Sequence, residues 1–372
     1  MKRHVTKRLT IVFLSLLVAA PALVCATGAS TNNDQFTVVK VASTVPPNGD
    51  MNPYGVAVVE RTTGNLIAGH ILVSNFNNSA NLQGTGTTIM DIAPNGTVNV
   101  FASIDASTLP GQCPGGVGLT TALAVLRAGW VIVGSLPTTD GTAATAQAGC
   151  LLVLNNQGAV VETISDVLIN GPWDMTVLDQ DAAANLFVTN VLNGTVAANG
   201  GIVQAGTVVR IDLTQSPTVM PAVQSMIVIG SGFAERTDPS ALVIGPTGVG
   251  LGPDATLYVA DTLNNRIVSI PDAVNRLSSA QNGTTLSDVS ALSGPLGLTV
   301  RQNNGEILSV NGDNGMLVVL RADGQMETSG FLSKSGTPAG AGALFGLATA
   351  SAGVYYVDDA TNTLNLAAFP LM

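Results

Sequence analysis

Gly294-Pro-Leu-Gly-Leu-Thr-Val300, Ile307-Leu-Ser-Val-Asn311 and Met316-Leu-Val-Val-Leu320 are short apolar runs bounded by Gly, Asn and Asp. They are rich in β-branched residues and too short for helices, which makes them strands. The trio recurs along the chain. Copies of the first run are Pro53–Val59, Gly118–Val125, Gly171–Val177, Asp238–Ile244 and Ala343–Thr349, so the strand occurs six times. Small residues dominate it, as an inner strand crowded around a central channel requires. Each copy precedes a second strand that ends in Asn, Asp or a small residue, as in Ile71–Asn75, Val131–Ser135, Leu186–Asn190, Leu257–Asp261 and Val354–Asp358. A third strand and then a fourth follow. Self-similarity at this spacing implies a propeller or a solenoid, and four antiparallel strands per unit is a propeller blade.

The last unit runs out after its third strand, at Phe369, while Phe36–Ala42 near the start has no unit of its own. Pairing that segment as the outer strand of the last blade closes the ring and covers an open edge. The expected fold is therefore all-β, a six-bladed β-propeller of four-stranded antiparallel blades closed by the N-terminal strand, forming one domain over 36–372.

Before it, Lys2, Arg3, Lys7 and Arg8 precede the apolar run Leu9–Val24 and the small-residue site Val24-Cys25-Ala26. This is the pattern of a secretory signal peptide over 1–26, followed by a flexible polar segment at 27–35. The apolar run is shorter than the ~20 residues of a membrane span, and no membrane-spanning segment is expected elsewhere. The protein is expected to be secreted or periplasmic. Loss of the leader leaves 10 Lys+Arg against 24 Asp+Glu, a net charge of −14. Such a surface repels nucleic acid and acidic membranes. With 46% hydrophobic and 10% charged residues, the chain folds around a large core.

In an antiparallel blade the start of strand one, the end of strand two and the start of strand three share one end. Cys113 precedes a first strand and Cys150 begins the third strand of the same blade, so an exported chain should join them in a disulfide. The connections between strands two and three are long only in the first three blades, at 77–86, 136–149 and 192–206. Flexible, uncharged loops on half of one face suit a binding surface for a protein, peptide or glycan.

Leu257-Tyr-Val-Ala-Asp-Thr-Leu-Asn-Asn-Arg-Ile267 resembles the signature of NHL-repeat propellers, with weaker echoes in Leu186–Asn193 and Tyr356–Asn362. The resemblance implies a superfamily that includes lactonase-like and streptogramin-lyase-like propellers, in which enzymes and binding scaffolds coexist, so it carries a fold and not an activity. Lactonases of this kind hold a channel metal with acidic and Asn side chains, including a Glu on the first inner strand. Here Tyr54–Val59 offers no carboxylate, and Glu60 falls beyond its end. Asp174, beside Trp173, and Asp238 are the acids near inner-strand starts, and they are the candidate catalytic residues. Lyases of this kind use a His, and His70, the one His after the leader, lies at the opposite end of its blade. There is no Gly-x-Ser-x-Gly elbow, and Gly248-Val-Gly-Leu-Gly252 lacks the helix of a phosphate loop.

Asn75, Asn190, Asp261, Asn311 and Asp358 recur at equivalent strand ends. A ring of oxygens there suits a hard cation such as calcium, but Asx residues also cap the turns that follow, and this explains them more simply. No metal ligand set is assigned. The expected function is that of a monomeric, non-catalytic binding scaffold; the alternative is a metal-dependent hydrolase or lactonase at the channel mouth near Trp173, Asp174 and Asp238.

Overall fold

The outer strand of the final blade is supplied by the opposite end of the chain. In the computed structural model, which describes residues 35–369, β1 (Thr37–Ser43) pairs antiparallel with β25 (Thr363–Ala368), and Phe36 stacks edge-on against Phe369 at 5.1 Å. The leader 1–26 and all but the last residue of 27–35 lie outside the described residues. The sheet formed with β23 (Leu344–Ala350) and β24 (Gly353–Asp358) has the order β1-β25-β24-β23.

The other blades follow in chain order. Blade one holds β2 (Met51–Val58), β3 (Ile71–Asn77), β4 (Thr88–Ile92) and β5 (Val98–Ser103); blade two holds β6 (Leu119–Val125), β7 (Val131–Ser135), β8 (Cys150–Leu154) and β9 (Val160–Ile164). Blade three holds β10 (Pro172–Asp179), β11 (Ala183–Asn190), β12 (Val203–Ser216) and β13 (Val219–Asp238), and adds β14 (Leu242–Ile244) as a fifth strand. Blade four holds β15 (Pro246–Leu251), β16 (Leu257–Asp261), β17 (Arg266–Ile270) and β18 (Thr284–Ser287). Blade five holds β19 (Pro295–Val300), β20 (Ile307–Asn311), β21 (Met316–Leu320) and β22 (Met326–Phe331). Middle strands are buried on both faces, as blades stacked against one another demand; β3, β8 and β16 have no exposed residue.

One repeat copy is misread from sequence. The inner strand of blade four is β15, and Asp238–Ile244 is instead the end of β13, a turn, and β14. β13 overshoots its blade and doubles back through Asp238↔Leu242 pairing before the chain enters the ring at Gly245. The glycines that looked like a loop at 248–252 are inner-strand residues. A Cβ on Gly248 would lie 2.3 Å from the Leu296 carbonyl, one on Gly297 1.8 Å from that of Phe345, and one on Gly346 2.0 Å from that of Tyr54. Backbones of neighbouring inner strands meet there, which only glycine permits.

All six inner strands shift register near their first residues, for example between Pro53 and Gly55, Pro172 and Met175, and Leu344 and Leu347. Hydroxyls on the second strands satisfy the backbone that these bulges free. Ser74 Oγ accepts from the Gly55 N–H at 2.9 Å and donates to the Thr120 carbonyl of the next blade at 2.7 Å. Thr189 Oγ1 likewise donates to the Thr247 carbonyl at 2.7 Å, joining blades three and four.

Candidate functional site: the two mouths of the channel

The end of the channel where inner strands begin, called upper here, is sealed. Tyr54 and Phe345 stack at 3.9 Å, Tyr54 and Phe76 at 4.4 Å, and Trp173 lies 6.4 Å from Phe345. Over them folds the β13–β14 hairpin, whose Val243 carbonyl accepts from Trp173 Nε1 at 3.1 Å. Trp173, Tyr54 and Phe345 are 3%, 2% and 1% exposed, and Leu242 and Ile244 join them in one core cluster. Aromatic contacts of this kind add roughly 0.5–1.5 kcal/mol each beyond the area they bury.

The long loops hold this lid down. Gln83 Nε2 donates to the Pro239 carbonyl at the hairpin turn at 2.8 Å, and Thr138 Oγ1 donates to the Gln83 carbonyl at 2.5 Å. The Thr138 N–H bonds the Gly84 carbonyl at 2.9 Å, so the loops of blades one and two are tied together. The expected flexibility of these segments is replaced by cross-bracing, because buried loop amides must find partners. The Cys113–Cys150 disulfide forms as expected, with Cα atoms 5.3 Å apart.

Asp238, expected at an inner-strand start, stands on the lid. One of its oxygens accepts from the N–H groups of Ser240 and Ala241, and the other pairs with Arg236 Nη2 at 2.9 Å. It lies between two upper-face cavities. One, of about 310 Å³, is bordered by Gln83, Thr142 and Pro239; the other, of about 360 Å³, by Ser240, Thr262, Asp313, Thr337 and Phe345. Near the rim, burial and the neighbouring Asp358 push Asp359 up to about 7.

Asp174 sits below the seal, in the channel itself. It occupies the place that Gly55, Gly248, Gly297 and Gly346 hold in other blades, and its side chain bridges the seam. Oδ1 accepts from the Met175 N–H at 2.8 Å and Oδ2 from the Val249 N–H of blade four at 3.1 Å. Burial pushes this carboxyl up to about 8, against the opposing effect of those two bonds. The surrounding cavity, about 180 Å³, is lined mainly by Val, Leu, Thr and Ala of all six inner strands, with Glu60 at its lower end. There Val58, Val125, Thr176, Val177 and Thr299 become partly exposed, so the channel opens downward. His70, also at the lower end, bonds Asp91 through Nδ1 at 2.9 Å.

The recurrent strand-end residues are all buried, and they are not used alike. In blade four Asp261 accepts from Asn264 Nδ2 and, at 2.7 Å, from Arg266 Nε, which closes the short turn. Asn311 instead donates through Nδ2 to Asn314 Oδ1 at 3.0 Å, and Asp358 accepts from the Thr361 N–H. Asn75 donates to the Thr44 carbonyl and to Thr88. They belong to separate blades, and each bonds other residues rather than another member of the set. No three His, Cys, Asp or Glu side chains converge as a metal ligand set among the described residues, and the aromatic residues that fill the upper mouth do not fit the channel metal that the resemblance to lactonase-like propellers implies. Sequence reasoning missed Glu235, which is 0% exposed beneath the hairpin and is pushed up to about 7 by burial.

Neither a protein-family model nor a curated protein matches the sequence. Solved structures do. A protein assigned as a gluconolactonase aligns with a TM-score of 0.52 at 13% identity, over 90% of this chain and 92% of its own. An inactive variant of virginiamycin B lyase from Staphylococcus aureus aligns with a TM-score of 0.50 at 13% identity, over 90% and 99%. Regucalcin from Agrobacterium tumefaciens, described as a calcium-binding protein, aligns with a TM-score of 0.51 at 13% identity, over 88% and 93%. The chain is a six-bladed β-propeller with the fold shared by lactonase-like and streptogramin-lyase-like propellers.

Proposed function

We propose that this is an exported, non-catalytic binding propeller that takes the end of a glycan on its upper face, in the cavity bordered by Asp238 and Asp313. The observation that carries the reading is the sealed upper mouth: the axis is filled by Tyr54, Phe345 and Trp173, while a cavity of about 360 Å³ remains beside the lid. Carboxylate and hydroxyl groups at a cavity rim accept and donate to sugar hydroxyls, and an apolar floor takes a sugar's C–H face. The acidic surface disfavours anionic ligands. Export is supported by the leader pattern at 1–26 and by the disulfide, which persists in oxidising compartments.

A glycan array probed with wild type, Asp313→Ala and Asp174→Asn tests this. Binding that Asp313→Ala weakens by about tenfold, the ~1–2 kcal/mol of a lost charge-assisted bond, and that Asp174→Asn leaves intact supports the proposal. No glycan bound, or equal loss in both variants, overturns it. A second reading, a hydrolase acting in the channel at Asp174, is favoured by the enzyme names of two structural neighbours and by the raised pKa of this buried acid. Lactone hydrolysis abolished by Asp174→Asn is its signature.

A further inference from the structure

Blade three treats its strand-end Asx unlike blade four. Asn190 is 0% exposed, yet its Oδ1 has no hydrogen-bond partner, and its Nδ2 makes only a 3.4 Å contact to the Val188 carbonyl. Two more buried oxygens nearby are also unpartnered, Oε2 of Glu235 and Oδ1 of Asn170. All three residues meet at Asn193. Its N–H donates to Glu235 Oε1 at 2.9 Å, its Oδ1 accepts from Asn170 Nδ2, and its Nδ2 contacts the Asn190 carbonyl at 3.4 Å. The free oxygens of Glu235 and Asn170 belong to the same carboxyl and amide groups that bond Asn193, so both lie within one such group's width of this node.

Three buried oxygens that accept no hydrogen bond call for a proton, a water or a cation. One carboxylate with neutral amide oxygens is the donor set of a hard divalent cation, and a buried charge that no Lys or Arg contacts favours the ion over water alone. We infer that Glu235, Asn190 and Asn170 hold a calcium ion off the channel axis, between the 192–206 loop and β13. The ion fastens the start of the β13–β14 hairpin to the loop, and so steadies the lid over the upper mouth. This site does not depend on the glycan reading.

Calorimetric titration of the EDTA-treated mature protein with calcium chloride, with parallel thermal melts, tests the inference. One equivalent should bind, and a hundredfold excess over Kd should raise Tm by about 3–6 °C. Glu235→Gln should abolish both effects, whereas Asp254→Asn, at an exposed turn, should keep them. Diffraction at a wavelength giving manganese anomalous signal, on wild-type crystals soaked in manganese chloride, covers the case in which Glu235→Gln does not fold. A peak bounded by Glu235, Asn190 and Asn170 supports the site. No bound ion, a peak elsewhere, or calcium binding unchanged in Glu235→Gln overturns it, leaving Glu235 as a neutral acid.

Discussion

The two mouths of the channel are built from the same six strands and finished in opposite ways. At the upper mouth the inner strands begin with large aromatic residues, Tyr54, Trp173 and Phe345, and a hairpin from blade three covers them. At the lower mouth they end in Val, Thr and Ala, and among the described residues Glu60 is the acid on the cavity wall there. One end is a packed core and the other a vestibule. A propeller's chemistry follows from what its few axial positions carry, and here those positions were given to packing at the end where the connecting loops are longest.

The largest expected effect breaks the seal. Phe345→Ala removes a side chain 1% exposed and stacked on Tyr54, and should cost about 3–5 kcal/mol in denaturant unfolding. Loss of less than about 1 kcal/mol would mean that the stack is not packed as described. Next comes the brace beneath the upper loops. Replacing Cys113 and Cys150 by Ser frees a crosslink spanning 37 residues and should cost about 3–4 kcal/mol on the loop-entropy account.

A third prediction separates the acid inside the channel from those at its ends. Asp174 in the folded protein titrates at about 8 against an ordinary 3.8, so the native state binds this proton more tightly than the unfolded one. Its contribution to stability is complete below the unfolded value and is lost as pH rises through 8. Asp359, near 7, acts in the same direction. Tm should therefore fall from pH 5 to pH 8.5, and Asp174→Asn should flatten the upper part of that fall. A wild-type Tm that climbs over this range contradicts the burial of these groups. The smallest effect belongs to the lower rim, where Glu60→Gln loses a 2.7 Å contact to Arg127 between side chains 59% and 37% exposed. Such a pair contributes less than about 1 kcal/mol, and urea unfolding should barely move.

The fold was legible because each blade repeats the same local signals: alternating apolar runs, glycine turns such as Gly96 and Gly158 with positive φ, and Asx residues at strand ends. The disulfide was legible because antiparallel order puts the starts of strands one and three at the same end. Asp238–Ile244 defeated this reading. Its Pro, small residues and Leu-Val-Ile imitate an inner strand, and only the neighbour-to-neighbour backbone approach distinguishes the true one at Pro246–Leu251. The channel position of Asp174 was legible from its offset in the strand, but its bond to the Val249 N–H depends on a blade 75 residues away. Glu235 was invisible for the same reason: it is one Glu in a 20-residue strand, and its burial comes from the hairpin that β13 becomes.

The most direct test of the sealed upper mouth is the fluorescence of Trp173 in a Trp130→Phe variant, which leaves it as the single tryptophan. Emission should be blue-shifted and resist quenching by acrylamide, with no change on adding the glycan ligand. A red-shifted emission quenched as readily as free indole would show that water and small molecules enter the axis from above, and would return the channel mouth to consideration as an active site.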